Sequence, residues 1–144
     1  MTQNMSESSS LSIKLYFTLR HTYHNLKTEL RKKLEAEEDI TWSQFHTLYH
    51  LNQEGVPFNQ LAQKIHCNAS NVTGLIDRME ENGWVYRERS QDDRRVWLVK
   101  LTDSGTKLRG ELIPEHKNNI REKMNLLSEE EQKTFKRLLD KLNS

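Results

Sequence analysis

Gly83-Trp84-Val85-Tyr86-Arg87-Glu88-Arg89-Ser90-Gln91-Asp92-Asp93-Arg94-Arg95-Val96-Trp97-Leu98-Val99-Lys100-Leu101-Thr102 is the stretch whose reading decides the fold. Strand-forming residues, Val85 and Tyr86 on one side and Val96 to Val99 on the other, flank a polar loop too long for a tight turn. The pattern predicts a hairpin with Arg94 and Arg95 at its tip, where two guanidinium groups are placed to meet something anionic. Immediately upstream, Val72, Leu75, Ile76 and Met79 repeat at i, i+3, i+4 and i+7, which predicts an amphipathic helix from Ala69 to about Asn82. Gly83 is placed to end it.

The same grammar extends outward in both directions. Val56-Pro57-Phe58 bridges into a short helix, with Asn59 as its expected cap and Leu61, Ala62 and Ile65 turned inward. After His66-Cys67, Asn68 is the expected cap of the Ala69 helix. Further back, Thr41-Trp42-Ser43-Gln44 has capping-box spacing and opens a helix with Phe45, Leu48 and Tyr49 on its apolar face, Gly55 being placed to end it. From about Leu11 to Leu34, Tyr16, Leu19, Tyr23, Leu26 and Leu30 form a long helical stripe. Beyond the hairpin, Thr102 caps a helix running toward Asn125, in which Pro114 predicts a kink. Ser128-Glu129-Glu130-Glu131 is a second capping box, opening a last helix with Phe135, Leu138, Leu139 and Leu142 on one side. The expected order is α-α-α-α-β-β-α-α, a mainly α chain of the α+β class.

At 144 residues the chain suits one domain rather than two. Residues 1–10 lack a basic start and an apolar segment, so they are expected to be a disordered tail and not a secretory signal, leaving 11–144 as the single domain. No apolar run approaches the roughly 20 residues that span a bilayer. A single cysteine, Cys67, excludes an intramolecular disulfide and a cysteine-based zinc cage, which fits a cytoplasmic location. The net charge of +1 does not by itself announce a nucleic-acid binder; DNA binding requires positive charge gathered at the loop tip and helix end.

Two short helices in close succession, the second with a polar outer face, have the layout of a helix-turn-helix. Ser70, Asn71, Thr73, Gly74, Asp77 and Arg78 lie opposite the apolar stripe. Hydroxyls and an amide suit base edges and phosphates, and Gly74 removes bulk where the helix would approach a groove. Asn68, at the helix start, completes this set. In the loop, Asp93 and Arg95 are close enough for the carboxylate to fix the guanidinium in one orientation, which suits a narrow, strongly negative minor groove.

Asn71-Val72-Thr73-Gly74-Leu75-Ile76-Asp77-Arg78-Met79-Glu80, with Gly83 shortly after, and Asp93-Arg94-Arg95 followed by Leu101-Thr102-Asp103-Ser104-Gly105 together resemble the multiple antibiotic resistance regulator (MarR) family of bacterial winged-helix transcription factors. The resemblance runs from about Leu11 to Leu142. It implies a winged helix-turn-helix lobe over about 41–101, dimerisation helices over about 11–35 and 103–143, and a homodimer on a pseudo-palindromic operator, most simply as a repressor. On this pattern Ser70, Asn71, Thr73 and Arg78 address the major groove, Arg95 the minor groove with Asp93 orienting it, and Arg94 a phosphate. Regulators of this kind are commonly released by a small phenolic or lipophilic molecule, for which Tyr23, Trp42, Phe45, His46 and Tyr49 are the candidate lining.

Other readings remain beside it. Cys67 lies before the recognition helix, where oxidation would disturb docking, and His21 with His24 and His46 with His50 have spacings that can hold a metal, although no carboxylate or cysteine completes a set. No metal or cofactor is therefore expected. A winged helix used for protein contacts alone is a further alternative, separable by the salt dependence of duplex binding. An enzyme is not expected, since there is no phosphate-cradling glycine loop, His-Glu-x-x-His or nucleophile elbow.

Overall fold

The computed structural model describes the backbone of residues 2–37, 39–65 and 69–144, and the side chains of these except 2–9, 37, 69 and 70. Its elements are α1 (Thr2–Glu37), α2 (Trp42–Tyr49), β1 (Val56–Pro57), α3 (Phe58–Lys64), α4 (Ala69–Glu81), β2 (Val85–Arg89), β3 (Trp97–Leu101), α5 (Asp103–Met124) and α6 (Glu129–Leu142). The expected helix and hairpin order is present, with one strand added. Expected cap Asn68, together with His66 and Cys67, lies outside the described residues.

The three strands form an antiparallel sheet in the order β1-β3-β2. Val85 pairs with Leu101 at the base of the hairpin and Arg89 with Trp97 near its tip. β1 escapes a sequence reading because it is two residues long and contains a proline, tolerable only on a sheet edge; it pairs Val56 with Val99 and Pro57 with Leu98. Val56, Val85, Val99 and Leu101 close over Val72, Ile76 and Met79 of α4, Phe45 and Leu48 of α2, Leu61 of α3 and Leu112 of α5. The apolar stripe of α4 is therefore core.

Caps and turns set the joints of this lobe. Thr41 and Gln44 form the expected capping box, the Gln44 N–H donating to Thr41 Oγ1 and the Thr41 N–H to Gln44 Oε1. At the end of α4, Gly83 has φ +78°, its N–H donates to the Glu80 carbonyl and the Trp84 N–H to the Met79 carbonyl, the bonding of a Schellman turn. Thr102 caps α5 through the Gly105 N–H, as expected, and Ser128 with Glu131 forms the box that opens α6. α5 passes through Pro114 without ending.

Four expectations are corrected. α1 is helical from Thr2 rather than Leu11, since nothing between Thr2 and Ser10 is a proline or glycine that would stop it. α2 ends at Tyr49 with His50 as its C-cap, so Gly55 is not its terminator; Gly55 sits at φ +109° in the turn before β1, where its N–H donates to Asn52 Oδ1. α3 starts two residues early, with Pro57 rather than Asn59 at the cap position and no side-chain cap, because a proline's fixed φ presets the first turn. Tyr49, assigned to the inner face of α2, is exposed.

Candidate nucleic-acid interface

α3, α4 and the β2-β3 hairpin lie side by side, and a cleft of about 400 Å³ between α4 and the hairpin is lined by Phe58, Thr73, Asp77, Arg87, Arg95 and Trp97. Asn71, Thr73, Asp77 and Arg78 are exposed on α4, and Gly74 is half-exposed. A Cβ at Gly74 would meet nothing within 4 Å, so the chain's own packing does not ask for a glycine there. The side chain of Ser70 lies outside the described set.

The wing tip is held by local bonds. Ser90 N–H donates to the Val96 carbonyl and Val96 N–H to the Asp93 carbonyl, which closes the loop at both ends. Asp93 Oδ1 accepts from Arg95 Nε and from the Arg95 N–H, each at 3.1 Å, while Oδ2 accepts from Arg95 Nη2 at 3.3 Å. The Arg95 side chain is nevertheless 91% exposed. Hydrogen bonds from the side chain and then the backbone of Arg95 hold the Asp93 carboxyl below its ordinary value of 3.8. So exposed a pair adds little stability; its effect is to fix where the guanidinium points.

Three residues that the sequence reading did not single out complete the site. Arg89 donates to the Arg94 carbonyl at 2.6 Å and stacks over the Trp97 ring, 4.4 Å from its centroid, fastening the tip to its own stem. Arg87 reaches across to α4 and pairs with Asp77 and Glu80. The signal was present in the strand alternation, which places Val85, Arg87 and Arg89 on one face.

The sequence profile of the MarR family matches residues 40–97. Among relatives, the chain is 30% identical over 114 residues to the HTH-type transcriptional regulator PecS of Dickeya dadantii, covering 76% of this chain and 69% of that one. It is 28% identical over 122 residues to the HTH-type transcriptional regulator MhqR of Bacillus subtilis, 83% of each chain. The Staphylococcus aureus MepR–DNA complex superposes with a TM-score of 0.73 at 30% identity, covering 88% of this chain and 93% of that one. The chain belongs to the MarR family. Like these relatives it is a winged-helix, DNA-binding transcriptional regulator and not an enzyme.

Of the residues expected to line an effector pocket in this MarR-family chain, the structure brings three together with a fourth that the sequence reading missed. Trp42 packs edge-on to His46, and His116 of α5 packs edge-on to both Trp42 and Phe45, with centroids 4.5, 5.5 and 4.8 Å apart. Nε2 of His46 and Nδ1 of His116 are buried without a hydrogen-bond partner among the described residues. Burial, joined for His46 by the neighbouring His116, His50 and Lys27, lowers both imidazoles below their ordinary 6.5. Tyr49 stacks at the edge of the cluster, against Phe45 and under Arg109. Tyr23 is 66% exposed, and among the described residues it stands outside this set of ring contacts. His21 Nε2 accepts from Asn25 Nδ2, and among the described residues no group of three or more His, Cys, Asp or Glu gathers into a metal site.

Proposed function

We propose that this regulator is a cytoplasmic repressor that binds a pseudo-palindromic operator as a homodimer and leaves it when a small phenolic or lipophilic molecule binds at the aromatic cluster of Trp42, Phe45, His46 and His116. The observation that carries the DNA-facing part is Arg95, almost wholly exposed yet held by both oxygens of Asp93 at the rim of a cleft whose other wall is α4. An arginine so aimed is preorganised for a minor groove, while Asn71, Thr73 and Arg78 face the adjacent major groove and Arg94 a phosphate.

What supports the homodimer is the pair of apolar stripes left open at the chain's two ends. Leu15, Leu19 and Tyr23 on α1 and Phe135, Leu138 and Leu142 on α6 are exposed, and α6 buries no residue at all within one chain. A patch so large calls for a partner, and a two-fold copy offers the matching surface. What supports an aromatic effector at this cluster is that rings meet there and that His46 Nε2 and His116 Nδ1 are buried with no hydrogen-bond partner among the described residues, which a hydroxyl admitted between the rings would supply. Footprinting on the DNA upstream of the protein's own coding region tests the reading. An inverted repeat protected by the protein and released on adding simple phenols is the expected result; absence of any protected repeat at low salt would sink it.

A further inference from the structure

The geometry points to Arg87 as the positioning residue that locks the wing onto the recognition helix, so that Arg95 and the outer face of α4 address one duplex together. This rests on the DNA-binding reading above. Val85 and Arg87 share a face of β2, and since Val85 is buried in the core the same alternation turns Arg87 toward α4. Arg87 Nη2 donates to Asp77 Oδ1 at 2.6 Å and to the Thr73 carbonyl at 3.3 Å, while Nη1 lies 3.3 Å from Glu80 Oε1. One planar fork thus grips three acceptors spread along the cleft-facing side of α4, which a lysine ammonium cannot do at once.

Two effects follow from that grip. The hairpin's base is fixed by Val85, Val99 and Leu101 in the core, but its outer half leaves the core, and Arg87 is the side chain of β2 that ties it to α4 beyond Val85. The second effect is electrostatic. Asp77 lines the cleft and Glu80 stands one turn on, and both would repel a phosphate backbone if Arg87 did not neutralise them. With its side chain 24% exposed and committed to these partners, Arg87 positions the interface rather than contacting DNA.

The test uses a duplex selected by the wild-type protein from a random pool, with affinity read by fluorescence anisotropy over a range of salt. Arg87→Ala and Arg87→Lys are both expected to weaken binding by about tenfold, with the salt slope unchanged because no phosphate contact is lost. In an Arg95→Ala background the same changes should cost less, since the wing has then lost the minor-groove side chain that Arg87 positions. Wild-type affinity for Arg87→Lys, full additivity with Arg95→Ala, or a salt slope reduced by about one would each overturn the inference and mark Arg87 as a plain phosphate contact. Should Arg87→Ala lose its fold by circular dichroism, the lysine variant and its double mutant decide alone. A wild-type protein that selects no duplex contradicts the DNA-binding reading itself, and this inference with it.

Discussion

Thr102 and Gly105 join the two halves of the molecule through very few atoms. Thr102 Oγ1 donates to the Gly83 carbonyl at 2.6 Å and accepts from the Gly105 N–H at 3.0 Å, while the Thr102 N–H donates to the Trp84 carbonyl. The end of α4, the start of β2 and the start of α5 meet at this hydroxyl. A Cβ on Gly105 would overlap the Trp84 carbonyl oxygen and come within 2.9 Å of its carbon, backbone that cannot swing aside. Gly105→Ala is therefore expected to cost about 1–3 kcal/mol of unfolding free energy, as other overpacked sites do. Urea melts of the variant read this, and an unshifted midpoint would refute the close approach. His46 and His116 make a second claim at this scale. Both are held below 6.5 by burial, so the folded protein keeps them neutral while the unfolded chain takes up protons more readily. Stability is then full above about pH 6.5 and falls as pH drops from there toward the depressed folded-state values. His116→Gln should flatten that fall in thermal melts between neutral and acid pH; an equally steep fall in the variant would contradict the assignment.

At the scale of elements, what could be read from the chain was what is local. The Asp93–Arg95 pair spans two positions and is fixed by its own loop, and the boxes of Thr41 with Gln44 and Ser128 with Glu131 are likewise written within four residues. The α4 stripe was legible because its period is independent of what it packs on. Arg87 was not, because its partners lie across a hairpin register that only the assembled sheet defines. His116 is likewise distant in sequence from the α2 residues it touches, and no spacing joins them. β1 was hidden by Pro57, which reads as a linker until Leu98 stands beside it. Gly55 was misread as a helix end because glycine serves any left-handed turn, and here the turn belongs to β1. The misses at Arg87, His116 and β1 are thus long-range partners overriding a local preference, whereas Gly55 is a local turn of a different kind.

For the whole molecule, a net charge of +1 and a winged-helix fold are reconciled by placement. Arg95 lines the cleft, Arg94 is exposed beside it at the wing tip and Arg78 is exposed on α4, while Asp77, Glu80 and Glu88 are occupied by Arg87 and Lys100. The apolar faces of α1 and α6 predict a dimer whose loss scatters the two half-sites. Leu138→Asp places a charge in the middle of the α6 stripe and should shift sedimentation from dimer to monomer at micromolar concentration while leaving the helical circular dichroism in place. A wild-type chain that sediments as a monomer would contradict the assembly. The central claim, that the hairpin tip is a DNA-reading arginine aimed by its neighbour, is tested most directly by anisotropy titration of Arg95→Ala on the wild-type protein's own footprinted duplex. The account predicts a loss of roughly 1–3 kcal/mol of binding free energy with the fold intact. Unchanged affinity in a folded variant would contradict it.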